Sequence, residues 1–187
     1  MRVDSIQTMG TAPTAAHGSD FTEAMSVLAS GVVMVTSWLD GRPWGMTVSA
    51  FASVSAEPPT ILVSLGGETA SARAIEDAGS FGVSILGRGH RAAARHGSTR
   101  GASKYLERFA DRHRRGPTPS IAGALAHLHC DVTKQVEVAD HTIFVGHVRD
   151  VLMAPDGEPL VYFRRAYRTL APSIDEPTRW RTPCLSS

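Results

Sequence analysis

The sequence predicts a mainly β protein with a few short helices, built as an antiparallel β-barrel. Runs of β-branched and aromatic residues recur along the chain and are separated by turn signals, among them Asp40-Gly41 and "PDGEP". Helical patterns are few and short, so the regular strand–helix alternation of a parallel sheet is missing. No G-x-G-x-x-G motif follows a strand, which argues against a Rossmann sheet. Short hairpins between many strands are typical of a barrel.

The composition indicates one cytoplasmic domain. The chain has 187 residues, enough to bury a core, and its net charge of +1 gives no reason to expect a nucleic-acid or anionic-membrane partner. No apolar run is long enough to span a bilayer, and the N-terminus lacks the apolar region of a secretory signal. Two cysteines, Cys130 and Cys184, make no disulfide framework, which favours a cytoplasmic location.

We expect three segments along the chain. Residues 1–19 are expected to form a flexible N-terminal arm, and Met9 is an alternative start. Residues 20–170 carry the strand and helix patterns and form the folded domain. Residues 171–187 are rich in proline, serine and threonine, and we expect an extended or loosely packed C-terminal tail.

The first predicted element is a short helix. Asp20 begins a pattern that resembles a capping box, and Phe21, Met25 and Leu28 recur at the spacing of one helix face. Gly31 is the expected stop.

Strands and two further helices follow. The segment "GGETASARAIEDAGS" predicts a helix capped by Thr69 or Ser71 and ended by Gly79, and "GRGHRAAARHGS" predicts a helix stopped at Gly97. The predicted strands are "GVVMVTSW", "WGMTVSAFASVS", "TILVSL", "FGVSIL", "ALAHLHCDVTKQVEV", "HTIFVGHVRDVLM" and "LVYFRRAY".

A row of small hydroxyl residues marks the second of these strands. Thr47, Ser49, Ser53 and Ser55 alternate with apolar residues, so on one continuous strand they would share a face. Such a row leaves room for a planar ligand and offers donors to its oxygen atoms. The alternative is an ordinary solvated face of the barrel.

The glycine turn in "SLGGETASAR" is a candidate anion site. Free backbone N–H groups and the positive end of the helix dipole would face a ligand there, and Thr69, Ser71 and Arg73 could add contacts. The alternative is an ordinary capped helix.

Histidines supply the remaining candidates. His141 follows Asp140 between two strand patterns, so the pair is either an Asx-type turn with an exposed histidine or a site where His141 donates to a phosphate or carboxamide. The cluster His127-x-His129-Cys130 is too short to predict a metal, and we predict none. His90, His96 and His113 lie among arginines and are expected on the solvated surface. No G-x-S-x-G motif supports a hydrolase.

Five segments, in order, resemble one known family. They are "FTEAMSVLASGVVMVTS", "GMTVSAFASVSAEPPTILVSL", "SARAIEDAGSFGVSIL", "VADHTIFVGHV" and "PLVYFRRAYRTL", which together cover Phe21 to Leu170. The chain resembles the short-chain flavin reductases, whose fold is the FMN-binding split β-barrel of Greek-key type. The family's glycine before Asp-His is Ala139 here, although alanine disfavours the positive φ that such a turn can require.

The resemblance implies a homodimer that binds FMN or FAD without a covalent link. It implies reduction of the flavin by NADH or NADPH, and delivery of the reduced flavin to a separate monooxygenase component. The residues that it places beside the flavin are Thr47, Ser49, Ala50, Phe51, Ser53, Ser64, Leu65, Gly66 and, near the phosphate, Ser71. It places His141 and Tyr167 on the nicotinamide side.

The implied reaction is hydride transfer from nicotinamide C4 to flavin N5, in which the cofactors carry the chemistry and the protein stacks the rings. His141 is the candidate catalytic residue, with a positioning role. Two alternatives remain: a flavin-binding sensor or carrier without turnover, and a split-barrel oxidase that acts on a small substrate. The sequence leaves open FMN versus FAD, NADH versus NADPH, and the identity of the monooxygenase.

Overall fold

The computed structural model describes residues 18–113 and 116–171, so the predicted arm and tail lie almost entirely outside the described residues. The helices are α1 (Gly18–Ser26), α2 (Ala70–Ala78) and α3 (Arg91–Ser98), the last preceded by a 3-10 turn at Arg88–His90. The strands are β1 (Ser30–Gly31), β2 (Val33–Leu39), β3 (Arg42–Val48), β4 (Phe51–Ala56), β5 (Pro59–Gly66), β6 (Ser80–Ile85), β7 (Ala126–Val138), β8 (His141–Met153), β9 (Val161–Phe163) and β10 (Ala166–Arg168).

Seven of these strands form one antiparallel sheet in the order β3-β2-β6-β7-β8-β5-β4. A small sheet of order β1-β9-β10 packs beside it. The predicted antiparallel β architecture is therefore confirmed.

The sheet curls because its two edge strands are consecutive in the chain. Only Ser49 and Ala50 separate β3 from β4, so the ends of these strands lie at most about 11 Å apart. A flat sheet would place its outer strands about 29 Å apart, at the usual strand spacing. The N–H of Ser64 on β5 donates to the Ala50 carbonyl at 3.0 Å and holds the crossing segment in place.

Local turn and cap signals are confirmed. Asp40 and Gly41 both have positive φ, 52° and 69°, as a tight hairpin between β2 and β3 requires. Thr69 is the N-cap of α2, and Gly79 ends that helix in the left-handed conformation. The helix α3 extends one residue beyond the predicted stop at Gly97.

The barrel interior is one of two cores. It contains buried residues of β2, β5, β6 and β8 together with Ala72 and Ile75 of α2. Phe81 packs there against Gly146, where an added Cβ would lie 2.6 Å from the ring Cζ. A second core, which includes Met34, lies between the barrel and α3.

The prediction of one continuous hydroxyl strand is wrong. The strand breaks at Ser49 and Ala50 because the chain crosses there from one sheet edge to the other. The buried side of the strand also changes at this break: on the predicted continuous strand Val48 and Val54 would share a face, but Val48 is 6% exposed whereas Val54 is 54% exposed. Ser53 therefore does not continue the face that carries Thr47.

Two other predicted elements differ. The first helix ends at Ser26, before Gly31, and it has no buried residue, so Phe21 and Met25 remain exposed. The segment "LVYFRRAY" is a β9–β10 hairpin and not one strand. Arg164 and Arg165 form its turn, and both have positive φ. The sequence did not predict this turn, because it has no glycine at these two positions.

Candidate functional site

The end of β5 brings two predicted segments together. Gly66 pairs with His141 at the start of β8, and the N–H of Gly67 donates to the Asp140 carbonyl at 3.0 Å. The glycine turn before α2 and the Asp-His pair are thus neighbours at one rim of the barrel. Ala50 lies at the same end, through its bond from Ser64.

The Asp-His pair has a defined geometry. Ala139 adopts φ 54°, the conformation that a glycine would take more easily. His141 Nδ1 lies 2.8 Å from the Asp140 carboxylate, which accepts a hydrogen bond from it. This hydrogen bond lowers the pKa of Asp140 below its ordinary value. This bond fixes the proton on Nδ1 and leaves Nε2 at the half-exposed tip of the ring. The pair can therefore present one oriented nitrogen to a ligand.

The hydroxyls of the glycine turn are already engaged. Thr69 Oγ1 donates to the Gly66 carbonyl at 2.8 Å and accepts from the Ala72 N–H at 3.2 Å. Ser71 is 4% exposed, and its Oγ accepts from the indole N–H of Trp44 at 3.0 Å. Several backbone donors of the turn are also used, because the N–H groups of Gly67 and Thr69 donate to the carbonyls of Asp140 and Gly66.

The positive charge of Arg73, which was predicted to attract an anion to this turn, is partly neutralised. Arg73 forms an ion pair with Glu68 at 3.0 Å, and both side chains are exposed. A carboxylate next to the turn weakens its attraction for an anion.

A cavity of about 390 Å³ lies beside the strand crossing. Its walls come from the end of β3, one face of α3 and the β9–β10 hairpin. The lining residues are Val32, Thr47, Val48, Ser49, Arg91, Arg95, Ser98, Tyr162, Arg165, Ala166 and Tyr167. Its size matches that of a small-molecule pocket.

Contacts across the cavity fix its shape. Thr47 Oγ1 donates to the Ala94 carbonyl of α3 at 2.8 Å. A Cβ on Gly97 would lie 2.4 Å from Thr47 Oγ1, so glycine at this position permits the close approach of α3 and β3. Tyr167 stacks edge-on against Tyr162, with ring centroids 5.5 Å apart. Thr47 therefore supports the wall, since its hydroxyl proton is occupied.

The structure brings together some of the predicted site residues and separates others. Thr47, Ser49 and Tyr167 line the cavity, while Gly66 and His141 meet at the rim. The remaining predicted residues lie as follows: Ala50 is exposed at the crossing, Phe51 and Ser64 are half-buried, Ser53 is exposed on β4, Leu65 is buried in the barrel core, and Ser71 is buried beneath Trp44. The ligand contacts of all these residues stay predictions.

Arg91 and Arg95 are exposed side chains that line the cavity, and neither was among the predicted site residues. The available signal was their spacing, because residues at i and i+4 share a helix face. The expectation that His90 and His96 lie on the solvated surface is wrong, because both are half-buried. His90 bonds the Ala122 carbonyl at 3.0 Å, and His96 bonds the Tyr105 carbonyl at 2.9 Å.

The histidine–cysteine cluster on β7 has a structural role. His127 is buried, with Nδ1 3.0 Å from Ser84 Oγ and Nε2 3.2 Å from Thr118 Oγ1. Burial raises the pKa of the Cys130 thiol to about 12, so it stays protonated and unreactive near neutral pH. Within residues 18–113 and 116–171, no three potential ligands are grouped to hold a metal ion.

No described helix has the length and apolar character needed to cross a bilayer.

Known proteins resemble this chain in sequence. The chain is 37% identical over 153 residues to the reductase component of 4-hydroxyphenylacetate 3-monooxygenase from Thermus thermophilus, covering 80% of this chain and 95% of that protein. It is 36% identical over 151 residues to an NADH-dependent flavin reductase from Rhodococcus, covering 79% of this chain and 84% of that protein.

A solved structure agrees with these relatives. The NADH:FAD oxidoreductase of Streptomyces globisporus, solved in complex with NAD and FAD fragments, superimposes with a TM-score of 0.76 at 30% identity. The match covers 84% of this chain and 94% of that one.

The family model for the flavin reductase like domain matches residues 25–171. Together with these relatives it confirms the split-barrel fold and the flavin reductase activity, with flavin and nicotinamide nucleotides as cofactors, that the sequence predicts. The chain belongs to the flavin reductase like domain family.

Proposed function

We propose that this enzyme uses NADH or NADPH to reduce FMN or FAD at the rim between Ser49 and His141, and that the reduced flavin passes to a separate monooxygenase. The observation that supports this proposal most directly is that the strand crossing, the end of β5 and the Asp-His pair meet at one end of the barrel. The relative from Thermus thermophilus is itself named as the reductase component of a monooxygenase.

The flavin ring would lie along the crossing segment. Ser49 and Ala50 stand between the two strand ladders, so their N–H groups lie outside the strand pairing. Donors of this kind can stabilise the negative charge that grows on the flavin pyrimidine as hydride arrives. We assign Thr47, Phe51, Ser53, Ser64, Leu65, Gly66 and Ser71 to the same flavin environment, Leu65 through its backbone and Thr47 and Ser71 as supports of the walls.

Reduced nicotinamide would dock from the side of His141 and Tyr167. His141 presents Nε2 in an orientation held by Asp140. We assign it a positioning role, because hydride transfer between the two cofactors needs close and aligned rings and no protein acid or base.

Flavin-dependent oxidation of NADH tests this function. With purified protein we expect the nicotinamide absorbance to fall faster when FMN, FAD or riboflavin is added, and a parallel series with NADPH ranks the two donors. The control is the same flavin without protein. If no flavin accelerates the oxidation, the reductase proposal is wrong and a flavin-binding module without turnover takes its place.

We also propose that two copies associate through α1. Phe21 and Met25 are exposed on this helix, beside Val27 and Leu28, which are exposed as well. A contiguous apolar surface of this kind commonly marks a protein interface.

We further propose that the folded domain spans residues 20–170 and that the protein is located in the cytoplasm.

Phe21→Glu is expected to turn the dimer into a monomer, because it places a charge in the apolar contact. The fold should survive, since α1 has no buried residue. Light scattering after size exclusion gives the mass of each species. Ser19→Glu, a polar exposed position on the same helix, is the control. A wild-type chain that is monomeric at all concentrations would disprove this proposal.

A further inference from the structure

A positively charged surface borders the cavity on the side of α3. Residues 88–112, here called the basic segment, contain seven arginine or lysine residues and two acidic residues, which gives a net charge of +5. The whole chain has a net charge of +1, so all other residues together are net negative. An uneven distribution of this kind creates an electrostatic field that extends beyond the charged groups themselves.

The basic segment follows two walls of the cavity. It includes α3, which forms one of these walls. The chain after α3 packs back against that helix, since His96 bonds the Tyr105 carbonyl at 2.9 Å and its ring centroid lies 5.4 Å from that of Phe109. It also covers the outer edge of β3, where the N–H of Gly45 donates to the Lys104 carbonyl at 3.2 Å. The cations that follow α3 are therefore held beside the cavity.

Most cations of the basic segment keep their charge free. Arg88 pairs with Glu158 at 2.9 Å, and the carboxylate of Glu107 is held at 2.6 Å by Arg42, which lies outside the segment. Five arginines are exposed and have no ion pair within the described part of the chain: Arg91, Arg95, Arg100, Arg108 and Arg112. The first two line the cavity, whereas the other three lie outside it.

We propose that Arg100, Arg108 and Arg112 steer anionic nucleotides to the mouth of the cavity. This inference rests on the proposed function. The phosphate of FMN carries a charge of about −2 near neutral pH, and NADH is an anion as well. A field of opposite sign around a cleft raises the association rate by about ten- to a thousandfold at low ionic strength. The field acts before contact, so these three residues need no contact with the bound nucleotide.

Steering has a specific use in the proposed function. An enzyme that releases reduced flavin to a separate monooxygenase must take up oxidised flavin in every cycle, so the association rate enters turnover directly. Cations around the mouth raise that rate, whereas tighter binding inside the cavity would slow the release of the product.

Association rates measured by stopped flow test this proposal. Arg100→Gln/Arg108→Gln removes two positive charges of the basic segment, and Lys134→Gln/Arg149→Gln removes two from exposed residues of β7 and β8 as the matched control. Flavin fluorescence is followed after each protein is mixed with FMN or with riboflavin, which has no phosphate. At low ionic strength we expect the first variant to bind FMN about threefold more slowly than wild type, with an unchanged dissociation rate. Adding Arg112→Gln should enlarge the effect.

Riboflavin should associate with all of these proteins at the same rate, and the control variant should bind FMN at the wild-type rate. The difference between the variants should disappear in 1 M salt, where the screening length is about 3 Å. Equal association of FMN with the wild type and with Arg100→Gln/Arg108→Gln overturns the proposal, as does an equal loss for riboflavin or in the control.

Faster dissociation of FMN at an unchanged association rate overturns the proposal too, since it would mean that Arg100 and Arg108 contact the bound nucleotide. The fluorescence signal requires no hydride transfer. A protein that binds FMN without oxidising NADH would therefore refute the proposed function separately from the steering.

Discussion

Phe81→Ala is expected to lower the free energy of unfolding by about 3–5 kcal/mol, the usual cost of removing a buried aromatic ring. Phe81 on β6 is fully buried among the residues of the barrel core. Its ring fills the space above Gly146 on β8, and a truncated side chain would leave a cavity between the two strands. Urea denaturation followed by circular dichroism measures the loss.

A double-mutant cycle with Gly146→Ala is the control. Alone, Gly146→Ala is expected to cost about 1–3 kcal/mol, because the new methyl group overpacks against the Phe81 ring. In the Phe81→Ala background the contact with the ring is gone, but the new methyl group still lies 2.9 Å from the Cys130 Cβ. Its cost should therefore fall in part and not vanish. Simple addition of the two losses would show that the ring is not what requires glycine at position 146.

His141→Ala is expected to slow flavin reduction by NADH about ten- to a hundredfold, the scale of a misplaced reacting pair. Flavin affinity should stay near wild type, because the flavin strand and the crossing segment keep their contacts. Stopped-flow reduction of bound flavin, run beside a flavin titration, separates the two quantities.

Asp140→Asn tests the role of the carboxylate that holds the ring. We expect a smaller loss of rate, since the amide oxygen can still accept from Nδ1 without a charge. The hydrogen bond from His141 lowers the pKa of Asp140, so the wild-type carboxylate stays ionised at neutral pH and its support is lost only as the pH falls through that lowered pKa. An unchanged reduction rate in His141→Ala would make the histidine a turn residue, and weakened flavin binding with normal reduction would place it on the flavin side.

Local signals predicted much of the fold. The hairpin at Asp40-Gly41 and the caps at Thr69 and Gly79 depend on a few neighbouring residues, and all three are present. The break at Ser49 was not predictable in the same way. An alternating pattern reports which side of a strand is buried, but it does not report the point at which a chain leaves one edge of a curled sheet for the other.

The candidate site was also predictable only in part. The glycine turn and the Asp-His pair were recognisable as segments, whereas the contacts that decide their chemistry join distant parts of the chain. Ser71 was predicted to lie near a phosphate, but it is buried and its Oγ accepts a hydrogen bond from Trp44, far along the chain. Arg91 and Arg95 were not predicted as site residues, because the cavity wall opposite them comes from β9 and β10, far along the chain.

The pairing of Gly66 with His141 has a consequence for folding. The strands β5 and β8 are separated in sequence by two helices and two other strands, so their contacts close a long loop. High contact order of this kind slows folding to about the millisecond-to-second range. The rim exists only after that closure, so a nucleotide that binds there binds the native state and not the unfolded chain. Bound flavin would then stabilise the barrel by mass action, and resistance to unfolding in the cell would follow the supply of cofactor.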